Sequence, residues 1–218
     1  QKVLMKAGIG FVGLGVMGTP MSCHLAKAQT PVWVWNRTPG KAARSIEAGA
    51  QEAGSLAELA KACRVIILCV SRSEDVRSIC ETLSVHLVPG DIVVDHSTIE
   101  PHVAKEVAQM LAVREVGFVD APITGGSMGA ENGTLTIFCG GNRAHFEAIE
   151  PILNAYGKRV AWVGESGAGQ MTKLANQIGV AGALIGLCEA LSFASKAGLD
   201  IAVTKELLST GAAGSWAF

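Results

Sequence analysis

Gly10-Phe11-Val12-Gly13-Leu14-Gly15-Val16-Met17-Gly18 is an apolar run, entered through Ile9, that breaks into three glycines at fixed spacing. The run reads as a strand and the segment after Gly18 as a helix. A dinucleotide pyrophosphate needs this arrangement: Gly13 permits the tight turn, Gly15 lets the backbone approach the phosphates, and Gly18 lets helix and strand pack closely. Amides at the helix start then face the phosphate charge. The expected cofactor contacts here are Gly13, Leu14, Gly15, Val16, Met17 and Gly18. Glycine-rich turns also occur without any ligand, so the reading depends on what surrounds this one.

Working outward, the helix after Gly18 carries apolar or small residues at Met21, Leu25, Ala26 and Ala28 and stops before a Thr30-Pro31 turn. Pro31-Val32-Trp33-Val34-Trp35 is a short β-branched and aromatic strand. It ends at Asn36-Arg37-Thr38, where a dinucleotide fold reads the adenosine ribose. An NAD site carries Asp or Glu there, roughly 20 residues past the glycines. This chain has Asn36 instead, followed by a cation and a hydroxyl. Arg37 can clamp a 2′-phosphate with its planar fork of donors and Thr38 can add another, which favours NADP, with NAD as the alternative. The competing reading of Arg37 is a turn residue in solvent.

Helix and strand keep alternating. Leu56 to Cys63 reads as a helix, Val65 to Val70 as a buried strand, Ser73 to Leu87 as a helix and Ile92 to Asp95 as a strand. Pro101 to Leu111 is a helix, Val116 to Val119 and Leu135 to Cys139 are strands, Arg143 to Tyr156 is a helix, and Val160 to Val163 is a strand. The expected fold is α/β: a doubly wound, Rossmann-type, mostly parallel sheet over residues 1–165. Its ligand sits at the carboxyl ends of the strands, which directs attention to the loops after Val70, Asp95 and Val119. From 166 to 218 the expectation is a long interdomain helix, Gln170 to Gly198, opening an all-helical second domain that is incomplete at Phe218. Its apolar core, Ile178 to Cys188, is shorter than a bilayer requires and is flanked by Lys173, Glu189 and Lys196. Gly179, Gly182 and Gly186 would let another helix approach.

Composition sets the outer bounds. The 218 residues carry a formal net charge of −1, which gives no footprint for nucleic acid or an anionic membrane. Cys23, Cys63, Cys69, Cys80, Cys139 and Cys188 are scattered, without a metal-type pair, and read as buried free thiols in a reducing compartment, cytoplasm or organelle matrix. The opening residues from Gln1 to Lys6 are too short for a signal peptide, and Gln1 is not a translated start. No metal site is expected. Trp33 and Trp35 read as packing, and His96 as structural in preference to acid–base.

Further segments carry a resemblance: Asp95-His96-Ser97-Thr98, Asp120-Ala121-Pro122-Ile123-Thr124-Gly125-Gly126, Gly133-Thr134-Leu135-Thr136, and Gly167-Ala168-Gly169-Gln170-Met171-Thr172-Lys173-Leu174-Ala175-Asn176-Gln177. With the glycine motif, and in this order, they make the chain resemble the β-hydroxyacid dehydrogenase family of 3-hydroxyisobutyrate dehydrogenase, tartronate semialdehyde reductase and glyoxylate/succinic semialdehyde reductases. The resemblance implies hydride transfer between nicotinamide and a small carboxylate-bearing 3-hydroxy acid, semialdehyde or glyoxylate. It also implies a homodimer or homotetramer formed through the helical domain.

The same resemblance implies roles. Lys173 matches the catalytic lysine, and a lowered pKa would suit it to proton transfer near neutrality. Thr124, Gly125 and Gly126 match a substrate loop that usually reads Ser-Gly-Gly. Asn176 and Gln177, one turn beyond Lys173, match substrate-side positions; many relatives have Asn where Gln177 stands. Thr98 matches a nicotinamide-side contact, and Val70 with Ser71 the loop flanking the cofactor. Two rivals remain: an imine reductase-like enzyme, which generally has Asp or Tyr where Lys173 stands, and a non-catalytic NADP-binding scaffold. Lys173 opposes the first, and Lys173 with the Thr124 loop opposes the second.

Overall fold

Alternation of inward and outward faces along the strands organises the chain. In the computed structural model, which describes residues 6–28 and 31–217, strand β4 (Cys63–Leu68) sends Ile67 into one core and Ile66 and Leu68 into another. Strand β5 (Ile92–Asp95) divides Val94 and Val93 in the same way. A strand buried on both faces is what a parallel sheet covered on both sides requires. The Thr30 turn, the opening residues 1–5 and Phe218 lie outside the described residues.

The elements before β4 are β1 (Gly8–Val12), α1 (Gly18–Ala28), β2 (Val32–Trp35), α2 (Ala43–Glu47), β3 (Gln51–Glu52) and α3 (Leu56–Ala62). After it come α4 (Ser73–Ser84), β5, α5 (Pro101–Ala112), β6 (Gly117–Asp120), β7 (Ile123–Thr124), α6 (Gly126–Glu131), β8 (Leu135–Gly141), α7 (Arg143–Leu153) and β9 (Gly157–Gly164). Strand order is β3-β2-β1-β4-β5-β6-β8-β7, with β9 on β8. The first six strands in this order are parallel, giving the doubly wound Rossmann arrangement with its reversal of order between β1 and β4.

Local chemistry explains the element starts. Ser55 caps α3 by accepting from the Glu58 amide, while the Glu58 carboxylate accepts from the Gly54 amide, so two otherwise orphaned donors are satisfied. Pro101 sits in the first turn of α5, where its missing N–H costs nothing. Helix α1 buries Met21 and Leu25 and α7 buries Phe146, Ile149 and Leu153 in one core. Leu59, Val76, Cys80, Leu83, Val103, Val107 and Leu111, from α3, α4 and α5, fill the other.

The sheet is mostly parallel, as expected, while its far edge and several element limits differ from the sequence reading. Beyond β6 the sheet is mixed: β8 runs antiparallel to β6 and β7. The segment read as a glycine loop contains strand β7 and the short helix α6. Val70 lies beyond β4, α4 ends at Ser84, and α7 ends at Leu153, soon after Pro151. Cys188 is exposed and Cys69 half-buried, so these two are not buried thiols; all six are free.

The chain forms two compact units, 1–173 and 174–218. The second holds most of helix α8 (Ala168–Lys196) and α9 (Ile201–Thr210), which Asp200 caps by accepting from the Val203 amide. Among the described residues α8 is the one helix long and apolar enough to cross a membrane, because the helix extends well beyond its apolar centre. Ile178, Ile185, Phe193, Val203 and Leu207 are exposed.

Candidate active site

The turn after β1 is a fixed scaffold with an open lip. Gly13 has φ of 97°, and its amide donates to the Trp35 carbonyl at 3.0 Å. A side chain there would meet the Cys69 carbonyl oxygen at 2.2 Å, and one at Gly18 would meet the Gly13 carbonyl oxygen at 1.9 Å. Both glycines are therefore fixed by close approach. Gly15 differs: a Cβ there would meet nothing within 4 Å. Gly15 and Val16 are exposed, and the amides of Gly15, Val16 and Met17 have no acceptor among the described hydrogen bonds. An open backbone with free N–H groups ahead of α1 suits an anionic pyrophosphate.

Beside this lip lies a cavity of about 300 Å³ between the carboxyl ends of β1, β2 and β4. It gathers Gly13, Gly15, Asn36, Arg37, Thr38, Val70 and Ser71 from the expected cofactor set. Leu14, Val16, Met17, Gly18 and Thr98 do not line it; Leu14 and Gly18 are buried, and Thr98 is exposed after β5. Trp35, Leu56 and Ile79 supply apolar walls. Trp35 thus has a second surface beyond the core packing expected of it.

Two residues do something other than expected. The position of Asn36 is that of a ribose reader, but its Oδ1 accepts from the Leu14 amide at 2.8 Å and its Nδ2 donates to the Thr38 carbonyl at 2.9 Å. It brackets the glycine turn to the end of β2. Arg37, 76% exposed, donates to Asp75 at 3.0 Å, so it is neither free nor simply solvated. Sequence reading missed Asp75, Ser78, Ile79 and Thr82, which line the cavity from α4. Their i, i+3, i+4, i+7 spacing was the available signal: it marks one helix face, while Val76, Cys80 and Leu83 mark the buried one.

Lys173 is assembled separately, on the first turns of α8. Asp120, at the end of β6, accepts from the Gly167 amide at 2.7 Å and from the Gln170 amide at 2.9 Å. Gln170 in turn accepts from the Ile99 amide and donates to the Ser97 carbonyl. Gly140 and Gly169 leave room for this packing; a Cβ on either would come within 2.9 Å of the Asp120 carboxylate. Lys173 follows one turn later, half-buried, and its Nζ donates to the Ile123 carbonyl at 2.8 Å. Burial holds its pKa below the ordinary lysine value. Thr124, Gly125 and Gly126 come next to Ile123, and both glycines have positive φ. Asn176 and Gln177 bond to each other along α8, and neither lines the cavity.

The carboxyl ends of β5 and β6 are densely polar. His96 is buried, with Nδ1 2.6 Å from the Ala121 carbonyl and Nε2 2.7 Å from the Tyr156 hydroxyl. A carbonyl only accepts, so Nδ1 carries the proton and Nε2 accepts from tyrosine. Burial pushes His96 down to about 4. Both ring nitrogens are spent internally, leaving none for proton transfer. Burial pushes Asp120 up to about 6, against the backbone hydrogen bonds from Gly167 and Gln170. Among the described residues no cluster of His, Cys, Asp or Glu could hold a metal.

Asp95 is pushed up to about 7 by burial, and its Oδ2 has no partner. Its folded pKa exceeds the ordinary 3.8, so its contribution to stability is complete below that value and is lost as pH rises through 7. His96 acts in the opposite sense: its contribution is present above 6.5 and is lost as pH falls towards 4. Asp95→Asn removes the first effect alone. Between pH 5 and 8 the variant should gain on the parent by about 2–3 kcal/mol in urea unfolding. A stability difference that does not move with pH would mean that Asp95 ionises normally.

Residues 8–164 match the family described as the NAD binding domain of 6-phosphogluconate dehydrogenase. Residues 167–218 match the NAD-binding region of NADP-dependent 3-hydroxyisobutyrate dehydrogenase. The chain is 37% identical to the 2-hydroxy-3-oxopropionate reductase of Escherichia coli, over 95% of this chain and 72% of that protein. The structure of Mycobacterium tuberculosis 3-hydroxyisobutyrate dehydrogenase with L-serine superposes with a TM-score of 0.89 at 29% identity, over 98% of this chain and 73% of that one. An imine reductase from Pseudomonas sp. superposes at 0.83 with 26% identity, over 94% and 71% of the two chains.

Proposed function

This chain belongs to the β-hydroxyacid dehydrogenase family of NAD(P)-dependent oxidoreductases, and from that premise we propose that it is an NADP-preferring reductase of small carboxylate-bearing aldehydes. The reaction is equivalently a 3-hydroxyacid dehydrogenation, with glyoxylate or a short semialdehyde as the favoured substrate. One observation carries the reading: the half-buried Lys173 ammonium rests on the Ile123 carbonyl, immediately before Thr124, Gly125 and Gly126. A proton donor and a polar, glycine-rich segment thus stand side by side.

The free amides from Gly15 to Met17 would hold the cofactor pyrophosphate, with Val70 and Ser71 flanking it and Thr98 on the nicotinamide side. Bound nicotinamide supplies or accepts the hydride. Lys173 gives a proton to the carbonyl oxygen during reduction and takes the hydroxyl proton during oxidation. Its lowered pKa brings that transfer closer to neutrality. The Thr124 hydroxyl and the Gly125 and Gly126 backbone receive the substrate carboxylate. Lysine here favours carbonyl over imine chemistry and opposes a purely scaffolding role.

Free thiols at all six cysteines suit a reducing compartment, either cytoplasm or an organelle matrix. The exposed apolar residues of α8 and α9 suit a homodimer or homotetramer built on the helical region.

The direct test is NADPH and NADH consumption by the full-length protein with glyoxylate, succinic, tartronate and methylmalonate semialdehydes, and a cyclic imine as control. Turnover of one aldehyde with NADPH preferred is the expected result. Turnover of the imine alone, or of nothing despite cofactor binding, would overturn it. For the phosphate clamp, Arg37→Ala should weaken NADPH binding by about 1.5–3 kcal/mol. NADH binding should change by less than about threefold, roughly 0.7 kcal/mol. Equal losses for the two cofactors would refute the clamp.

A further inference from the structure

We propose that Asp75 sets the balance between phosphorylated and unphosphorylated cofactor, an inference that rests on the nicotinamide-cofactor reading of the cavity. The end of β2 lacks the acid that reads ribose hydroxyls, and the residue standing there, Asn36, is spent on the glycine turn. An acid nevertheless reaches the same end of the cavity from the facing helix. Asp75, on the first turn of α4, lines the cavity together with Asn36, Arg37 and Thr38. Its side chain is only 13% exposed. It accepts from Arg37 Nη1 at 3.0 Å, and from Arg72 Nε and Nη2 at 3.2 and 3.3 Å.

This geometry acts on the two cofactors in opposite directions. A 2′-phosphate seeking Arg37 must take the guanidinium from Asp75 and then sit near a carboxylate that Arg72 keeps in place. Arg72 and Arg37 both hold that carboxyl below the usual range, so it is charged at neutral pH. Like charges at such range oppose each other, and the phosphate finds Arg37 partly neutralised. A ribose with free hydroxyls meets no repulsion and finds an acceptor of the type that NAD sites use. Asp75 therefore restrains NADPH binding and supports NADH binding. It is a specificity-determining residue supplied by a different element from the usual one.

The test is equilibrium titration calorimetry of NADPH, NADH and the fragment 2′,5′-ADP against the full-length protein, Asp75→Asn and Asp75→Ser. Both replacements are uncharged, and Asn also keeps the shape of the side chain. The expected result is that NADPH and 2′,5′-ADP bind more tightly, NADH binds more weakly, and the preference for NADPH rises at least about fivefold. A preference that stays put, or moves towards NADH, in both variants overturns the assignment. That failure is distinct from failure of the Arg37 clamp, which appears as equal losses of both cofactors in Arg37→Ala.

Discussion

Lys173→Ala should reduce turnover by about 10²–10⁴-fold, the range a positioned general acid or base contributes. NADPH affinity should stay within about threefold, roughly 0.7 kcal/mol. The split is expected because Lys173 does not line the cofactor cavity and donates instead to Ile123. The helix start that carries it is fixed without it: Asp120 holds the Gly167 and Gln170 amides, and Gln170 is pinned to Ile99 and Ser97. Removing the ammonium should therefore leave its platform standing. Stopped-flow reduction and fluorescence titration on one preparation decide the matter. A collapse of NADPH affinity alongside turnover would make Lys173 structural.

Gly13→Ala should cost about 3–5 kcal/mol of stability, combining left-handed backbone strain with overlap against a neighbouring main chain. The added methyl would meet the Cys69 carbonyl oxygen at 2.2 Å in a residue whose φ is 97°. Both segments are held in place just beyond their strands, the Gly13 amide donating to the Trp35 carbonyl and the Cys69 amide to the Val12 carbonyl. NADPH binding should fall below detection. Gly15→Ala provides the contrast: its methyl meets no protein atom but stands at the cavity lip, so binding should suffer while thermal stability changes little. A Gly13→Ala protein that melts and binds like its parent would refute the account of the turn.

What could be read from sequence follows physical lines. Continuous apolar runs through Val65 to Leu68 and Ile92 to Val94, interleaved with helices, suffice to imply a parallel sheet covered on both faces. The Gly13 to Gly18 spacing places the ligand end of that sheet. Strand β7 escapes because two residues carry no periodicity, and helix α6 because Gly126, Ser127 and Gly129 read as turn residues. At the site, residue type reveals capacity but not partners. Asn36 can bond a ribose or its own turn, and only the fold shows that it takes Leu14 and Thr38. Asp75 lies 38 positions from Arg37, so no local pattern joins them. The second face of α4 was visible in its spacing, but the core-facing Val76, Cys80 and Leu83 dominate that helix.

The chain has a single tyrosine, which lies between α7 and β9 and reaches the end of β5 through His96. Tyr156 is fully buried, holds the Nε2 of His96, and meets the imidazole edge-on with ring centres 5.5 Å apart. Ring-labelled tyrosine therefore gives one unambiguous set of resonances for these 218 residues. The ring is shielded from bulk solvent and is hydrogen-bonded to His96, two residues before Thr98. The residue is a built-in spectroscopic probe, able to report events at the carboxyl end of β5 without any foreign label.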